Sequence, residues 1–203
     1  MPISDCEVRD PRMRRTRQLL QGALRTLMQT KSFDEIAVQD ITEAATVNRA
    51  TFYDHYTDKY ALLESMVAGG FHQLLHERNV SYDGSCPSAV NAVIMATCDY
   101  LTATHAGNAC RRQSAFEPLV EAAMTAAIRR VLMAGMPKSA SVADLPPEVV
   151  ATAASWAIYG AVKEWFNTPQ RPSAEYVVPR IMQLIIPMLP SAIAAEASIL
   201  GHR

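Results

Sequence analysis

The chain has 203 residues, Lys+Arg 19 against Asp+Glu 20 for a formal net charge of −1, 49% hydrophobic and 7% aromatic residues, and only 8 glycines. That length suits one or two small domains with a proper core, and the composition favours helices over sheets. A charge this close to zero excludes a polyanion binder that works by bulk electrostatics, so any nucleic-acid contact must rest on local charge.

Residues 1 to about 10 mix Asp5, Glu7, Arg9 and Asp10 between Pro2 and Pro11 and read as a loose leader. From about Arg12 to Thr30 the spacing predicts a helix, with Leu20, Ala23, Leu24, Leu27 and Met28 on its apolar face. Arg12, Arg14, Arg15, Arg17 and Arg25 fall in this stretch with no acid among them. Such a run is either a solvated face or one turned to a phosphate backbone, with Arg14 and Arg15 as candidate contacts. Phe33 and Ile36 then close the end of a three-helix unit.

Val38 to Lys59, VQDITEAATVNRATFYDHYTDK, reads as two short helices around a tight turn, with a third helix starting at its end. Val38, Ile41, Ala44 and Ala45 share one face of the first helix, and Thr46-Val47 breaks the pattern. Asn48 can cap the second helix by accepting from a free amide of its first turn. Val47 and Phe52 then stand at staple positions. Phe52 and Tyr56, four apart, enter a small core. Arg49, Ala50, Thr51, Tyr53 and His55 project away from it, and their hydroxyl, imidazole and guanidinium groups suit phosphates and base edges. This is the pattern of a helix-turn-helix, whose second helix lies in the major groove.

These residues, with Ile41-Thr42-Glu43-Ala44-Ala45, Thr51-Phe52-Tyr53-Asp54-His55-Tyr56, Asp58-Lys59 and Ala61-Leu62-Leu63, resemble the DNA-binding signature of the TetR family of bacterial transcriptional regulators over roughly residues 12 to 66. Two positions depart from it. Thr46 stands where the family usually has the glycine that tolerates positive φ, and Ala37 stands where a Ser or Thr cap is common, leaving Asp40 as half a capping box. The resemblance implies an all-α protein: a leader and helix-turn-helix DNA-binding domain over 1–57, and a helical ligand-binding and dimerisation domain over 58–203.

Asp58 is the expected N-cap of the next helix, and Lys59 in its first turn suits a phosphate at the positive end of the helix dipole. That helix runs through Leu62, Leu63, Met66 and Val67 and past Gly69-Gly70, a possible bend, to Leu75. Ser81 to Pro87 reads as a loop and Ala89 to His105 as a helix. Arg111 to Ala115 reads as a short helix, Pro118 to Leu132 as a longer one, and Gly135 to Pro147 as a mobile loop. Glu148 to Asn167 and Ser173 to about Leu189 are the last helices, the second interrupted late by Pro187.

Ala153, Ala157, Gly160 and Ala161 line one face of the first of these last helices, and Val178, Ile181, Met182 and Ile185 belong to an apolar surface on the second that exceeds what one side needs. They fit a twofold four-helix dimer interface or packing inside one subunit; the resemblance favours the dimer. Met95, Cys98, Leu101, His105, Phe116, Val120, Met124, Trp156 and Tyr159 come from the helices that the resemblance places around an effector pocket. A stripe of methionine and aromatic residues equally fits plain core, the commoner role.

Cys6, Cys86, Cys98 and Cys110 are widely and irregularly spaced, which predicts no zinc site, and no other metal or cofactor is expected. No apolar run approaches a membrane span, so no membrane partner and a cytoplasmic location are expected. The expected function is a homodimeric repressor on double-stranded DNA, released from a palindromic operator by a small, largely apolar or aromatic effector. The alternatives are an effector-independent structural or partner-recruiting DNA-binding protein, or an enzyme using the C-terminal cavity. No phosphate loop, nucleophile elbow or metal cluster motivates the enzyme.

Overall fold

The computed structural model describes residues 10–78, 87–106, 117–136, 142 and 144–190, apart from the side chains of 104–106. Among these residues the protein is all-α: α1 Pro11–Leu27, α2 Val38–Ala45, α3 Arg49–His55, α4 Lys59–Glu77, α5 Pro87–Ala106, α6 Glu117–Gly135, α7 Pro147–Asn167 and α8 Ala174–Ile185, followed by a 3-10 turn Ile186–Met188. No helix among them is long and apolar enough to cross a membrane. The short helix expected at 111–115 and most of the loop expected at 135–147 lie outside the described residues.

The chain divides into two compact units. The first holds the described residues up to Gly70 together with 117–123, and the second holds those from Phe71 to 106 and from Met124 onward.

In the first unit α1, α2 and α3 pack on one another. Leu20, Leu24, Ile36, Ile41, Phe52, Leu62 and Leu63 are the largest of its fully buried side chains. Asp10 starts α1 by accepting from the Arg12 amide at 2.8 Å, and Pro11 sits at the first helical position, where its missing N–H is no loss. α2 begins at Ala37 with half a capping box: Asp40 Oδ2 accepts from the Ala37 amide at 2.7 Å, and alanine has no side chain to reciprocate. The Ala37 amide, and after it Lys31 at 3.1 Å, hold the Asp40 carboxyl below its ordinary value. The folded value lies below the unfolded one. This cap's contribution is therefore present at neutral pH and is lost as pH falls through the folded value.

α4 runs unbroken through Gly69 and Gly70 to Glu77. Asp58 opens it, Oδ1 accepting from the Ala61 amide at 2.8 Å.

In the second unit α5 packs against both α7 and α8, and α7 against α8. Val90, Val93, Ile94 and Ala96 of α5 meet this core, with Ala151, Ala154, Ile158 and Val162 from one face of α7 and Val178, Ile181 and Ile185 from α8. The turn between α7 and α8 is tied by Trp165, whose Nε1 donates to the Pro172 carbonyl at 2.9 Å, and by Arg171, stacked 4.3 Å from the Phe166 ring centre. α8 contains Pro179, which has no amide for the turn before it, and gives way to the 3-10 turn that holds Pro187. Sequence periodicity pointed only to the second of these prolines. Arg78, the residue after α4, pairs with Asp99 of α5, Nε donating to Oδ2 at 3.0 Å.

Candidate nucleic-acid interface

The turn between α2 and α3 is built on Thr46, at φ 55° and ψ 45°. With Thr46 in the left-handed region, the Val47 amide reaches back to the Thr42 carbonyl at 3.0 Å and closes the end of α2. A β-branched residue costs about 1–2 kcal/mol in this region, which glycine avoids, and among the described residues the exposed Thr46 side chain makes no hydrogen bond in return. Thr46→Gly is therefore expected to stabilise the folded chain by about 1 kcal/mol, less the entropy glycine adds to the unfolded state. A urea titration showing a lower midpoint for the variant would contradict this account of the turn.

Asn48 caps α3 as the spacing predicts, its Oδ1 accepting from the Ala50 amide at 2.9 Å. α3 is seven residues long, and its side chains form rows at four-residue spacing. Phe52, 0% exposed, and Tyr56 form the buried row, with ring centres 6.0 Å apart. Arg49 and Tyr53 form an exposed row in which Arg49 Nη2 donates to Tyr53 Oη at 3.3 Å and the guanidinium stands 5.7 Å from the ring centre. Tyr53 keeps 48% of its surface open. Ala50 and Asp54 form a second exposed row, and Thr51 and His55 a third that is half-buried. Asp54 lies on this outward surface although the sequence reading left it out of the contact set.

Behind α3 is a buried polar cluster that the sequence did not reveal. Arg17, 4% exposed, donates from Nε to Tyr56 Oη and from Nη2 to Ser65 Oγ, each at 3.1 Å, with its guanidinium 5.1 Å from the Tyr56 ring centre. Gln21 Nε2 donates to the same two oxygens at 3.4 and 3.3 Å, and Tyr56 Oη and Ser65 Oγ share a hydrogen bond at 3.3 Å. The cluster joins α1, the C-terminal end of α3 and α4. Arg17 is thus set apart from the arginine run around it: Arg12, Arg14 and Arg15 are exposed on the first half of α1.

Lys59 is placed differently from its expected role at a phosphate. Its Nζ donates to the carbonyls of Phe33 at 2.9 Å, Asp34 at 3.1 Å and Ile36 at 2.9 Å, and it stands 4.8 Å from the Phe33 ring centre. An ammonium has three protons, and these three carbonyls take them. The nearby Ala61 amide already faces the Asp58 carboxylate. Lys59 ties the start of α4 to the segment between α1 and α2.

In the second unit, Cys98, Leu101, Met124 and Tyr159 are buried and Met95 is half-buried; Val120, also buried, belongs to the first unit. Phe116 and the His105 side chain lie outside the described residues. Trp156 is not gathered with the buried set: it is 49% exposed on α7, beside Ala153, Ala157 and Gly160. Burial, and then the neighbouring Asp99 carboxylate, push the Cys98 thiol up to about 12, so it carries almost no thiolate at neutral pH. Val178, Ile181 and Ile185, whose periodicity suited a subunit face, are buried inside the unit. Ala153 and Gly160 are exposed, and Ala157, Ala161 and Met182 half-buried. Among the described residues no group of three or more His, Cys, Asp or Glu side chains is placed to hold a metal ion.

Residues 19–66, from the middle of α1 into α4, match the family model described as bacterial regulatory proteins, tetR family. A stretch of 59 residues is 44% identical to the uncharacterized HTH-type transcriptional regulator YxbF of Bacillus subtilis (strain 168), covering 29% of this chain and 16% of that protein. A stretch of 67 residues is 28% identical to the HTH-type dhaKLM operon transcriptional activator DhaS of Lactococcus lactis subsp. lactis (strain IL1403), covering 33% of this chain and 36% of that protein. These matches span well under two thirds of either relative. A solved structure of the dihydroxyacetone kinase operon activator DhaS is similar over 86% of this chain and 96% of that one, at 20% identity and a TM-score of 0.48. The likeness to the family lies in the local sequence match and the helix-turn-helix geometry within it. Over residues 19–66, which hold the helix-turn-helix, the chain is similar to the tetR family of bacterial regulatory proteins.

Proposed function

We propose that the protein is a DNA-binding transcriptional regulator that acts as a homodimer and represses from a palindromic operator until a small, largely apolar or aromatic effector releases it. The observation that carries the reading is α3 itself. Its two aromatic anchors are buried, while Arg49, Ala50, Thr51 and Tyr53 stand on the side away from Phe52, within the segment matched to the tetR family. Arg49 and Thr51 at the helix start are the base-edge candidates, Tyr53 and His55 the phosphate and sugar candidates, and Asn48 holds the start of the helix. Arg14 and Arg15 add backbone contacts whose strength falls with salt. Lys59 supports the interface from behind through its three carbonyls.

One seven-residue helix gives little specificity. A twofold pair reads half-sites about 34–36 Å apart. The dimer is supported by what α7 and α8 leave uncovered: Trp156, Tyr176 and Leu184 are large, apolar and exposed, and Ala153 and Gly160 let a second helix come close. An effector of the second unit releases DNA only if it prefers the arrangement that binds poorly.

Tyr53→Ala is expected to weaken binding to a selected palindromic duplex about tenfold, in the range of one lost polar contact, with the dimer intact. Equal affinities of variant and wild type by fluorescence anisotropy would remove Tyr53 from the interface.

A further inference from the structure

We infer that Asp54 sets base specificity by accepting a hydrogen bond from the N4 amino group of a cytosine at one fixed position of each half-site. The inference rests on the reading of α3 as the DNA-contacting helix and goes beyond it by naming the base. Asp54 is two residues from Phe52 and two from Tyr56, and at about 100° per residue that places it opposite both buried rings, at the centre of the outward face. No hydrogen bond or ion pair engages its carboxylate among the described residues. The guanidinium on the same helix, Arg49, is turned to Tyr53 instead. Ala50, one turn earlier in the same row, has no bulk to hold the helix off the groove floor, so a side chain as short as aspartate reaches a base edge.

DNA offers a carboxylate very few favourable partners. Phosphates repel it, and the major-groove edges of guanine and thymine present acceptors. The donors there are the cytosine N4 and adenine N6 amino groups, and adenine N6 lies beside the N7 acceptor, which again repels the carboxylate. Cytosine is left as the base that Asp54 tolerates and rewards.

The test is binding-site selection from a randomised duplex pool with full-length wild type, Asp54→Ala and Asp54→Asn, after checking that all three unfold at the same temperature. Wild type is expected to return a palindrome with cytosine fixed at one position per half-site. Asp54→Ala should return the same palindrome with that position degenerate, losing about tenfold discrimination. Asp54→Asn should move it to adenine, which an amide can bond through N6 and N7 together. A wild-type palindrome that Asp54→Ala returns unchanged, or a lost preference for a base other than cytosine, overturns the inference and leaves the DNA-binding reading standing. Failure of the wild type to select any sequence overturns both.

Discussion

Leu184→Asp is expected to convert the protein to monomers and to lower its affinity for a palindromic duplex at least ~100-fold, through loss of the tethered second half-site. Leu184 is 68% exposed on α8, the most exposed of the large apolar side chains among the described residues. In a twofold dimer one substitution acts twice. Each copy forfeits about 1.5–3 kcal/mol of leucine burial, and each places a carboxylate where water has been expelled, at a further cost of several kcal/mol. The side chain touches solvent in the single chain, so the circular dichroism and the thermal unfolding of each subunit's own core should be kept. Sedimentation velocity reads the outcome. A variant that stays dimeric at micromolar concentration would place the interface elsewhere than on this side of α8.

Tyr56→Phe is expected to lower unfolding stability by about 2 kcal/mol, the scale of a buried hydrogen bond to a charged group. The change keeps the ring, its place beside Phe52 and its face toward the Arg17 guanidinium. It removes the one oxygen to which Arg17 Nε, Gln21 Nε2 and Ser65 Oγ all reach. Loss of an acceptor beside a buried cation leaves the desolvation of that cation less fully compensated, and a shared cluster amplifies the effect. Because Tyr56 caps the C-terminal end of α3 while Ser65 belongs to α4, operator binding should weaken along with stability. An unchanged urea midpoint would mean that the hydroxyl cluster contributes nothing net.

Local chemistry is what made the DNA-binding segment legible. Asn48 as cap, Phe52 and Tyr56 as anchors and Thr46 as a strained substitute for glycine each follow from neighbours within a few residues, and each is found so. What escaped depends on partners far along the chain. Arg17 looked like its exposed neighbours because nothing local announces Tyr56 and Ser65, 39 and 48 positions away. Lys59 fitted a phosphate site at a helix start, but its carbonyl partners lie 23 to 26 positions back, where the chain leaves α1 and approaches α2. In the second unit, periodicity identified apolar faces without saying which neighbour covers them. Val178, Ile181 and Ile185 therefore turned out to be covered by their own chain, while Trp156 stands outside it. Asp54 is outside the contact set read from the sequence, and its place opposite Phe52 and Tyr56 on the exposed face of α3 is what the structure adds.

The central claim is that the outward face of α3 meets duplex DNA, and tyrosine iodination tests it at a single side chain. Tyr53 and Tyr176 are both exposed in the single chain, and only Tyr53 stands on α3. Adding the selected palindromic duplex to the dimer should suppress modification of Tyr53, while Tyr176, on the proposed subunit face, should react little with or without DNA. Tyr53 remaining as reactive in the DNA complex as in free protein would contradict the account.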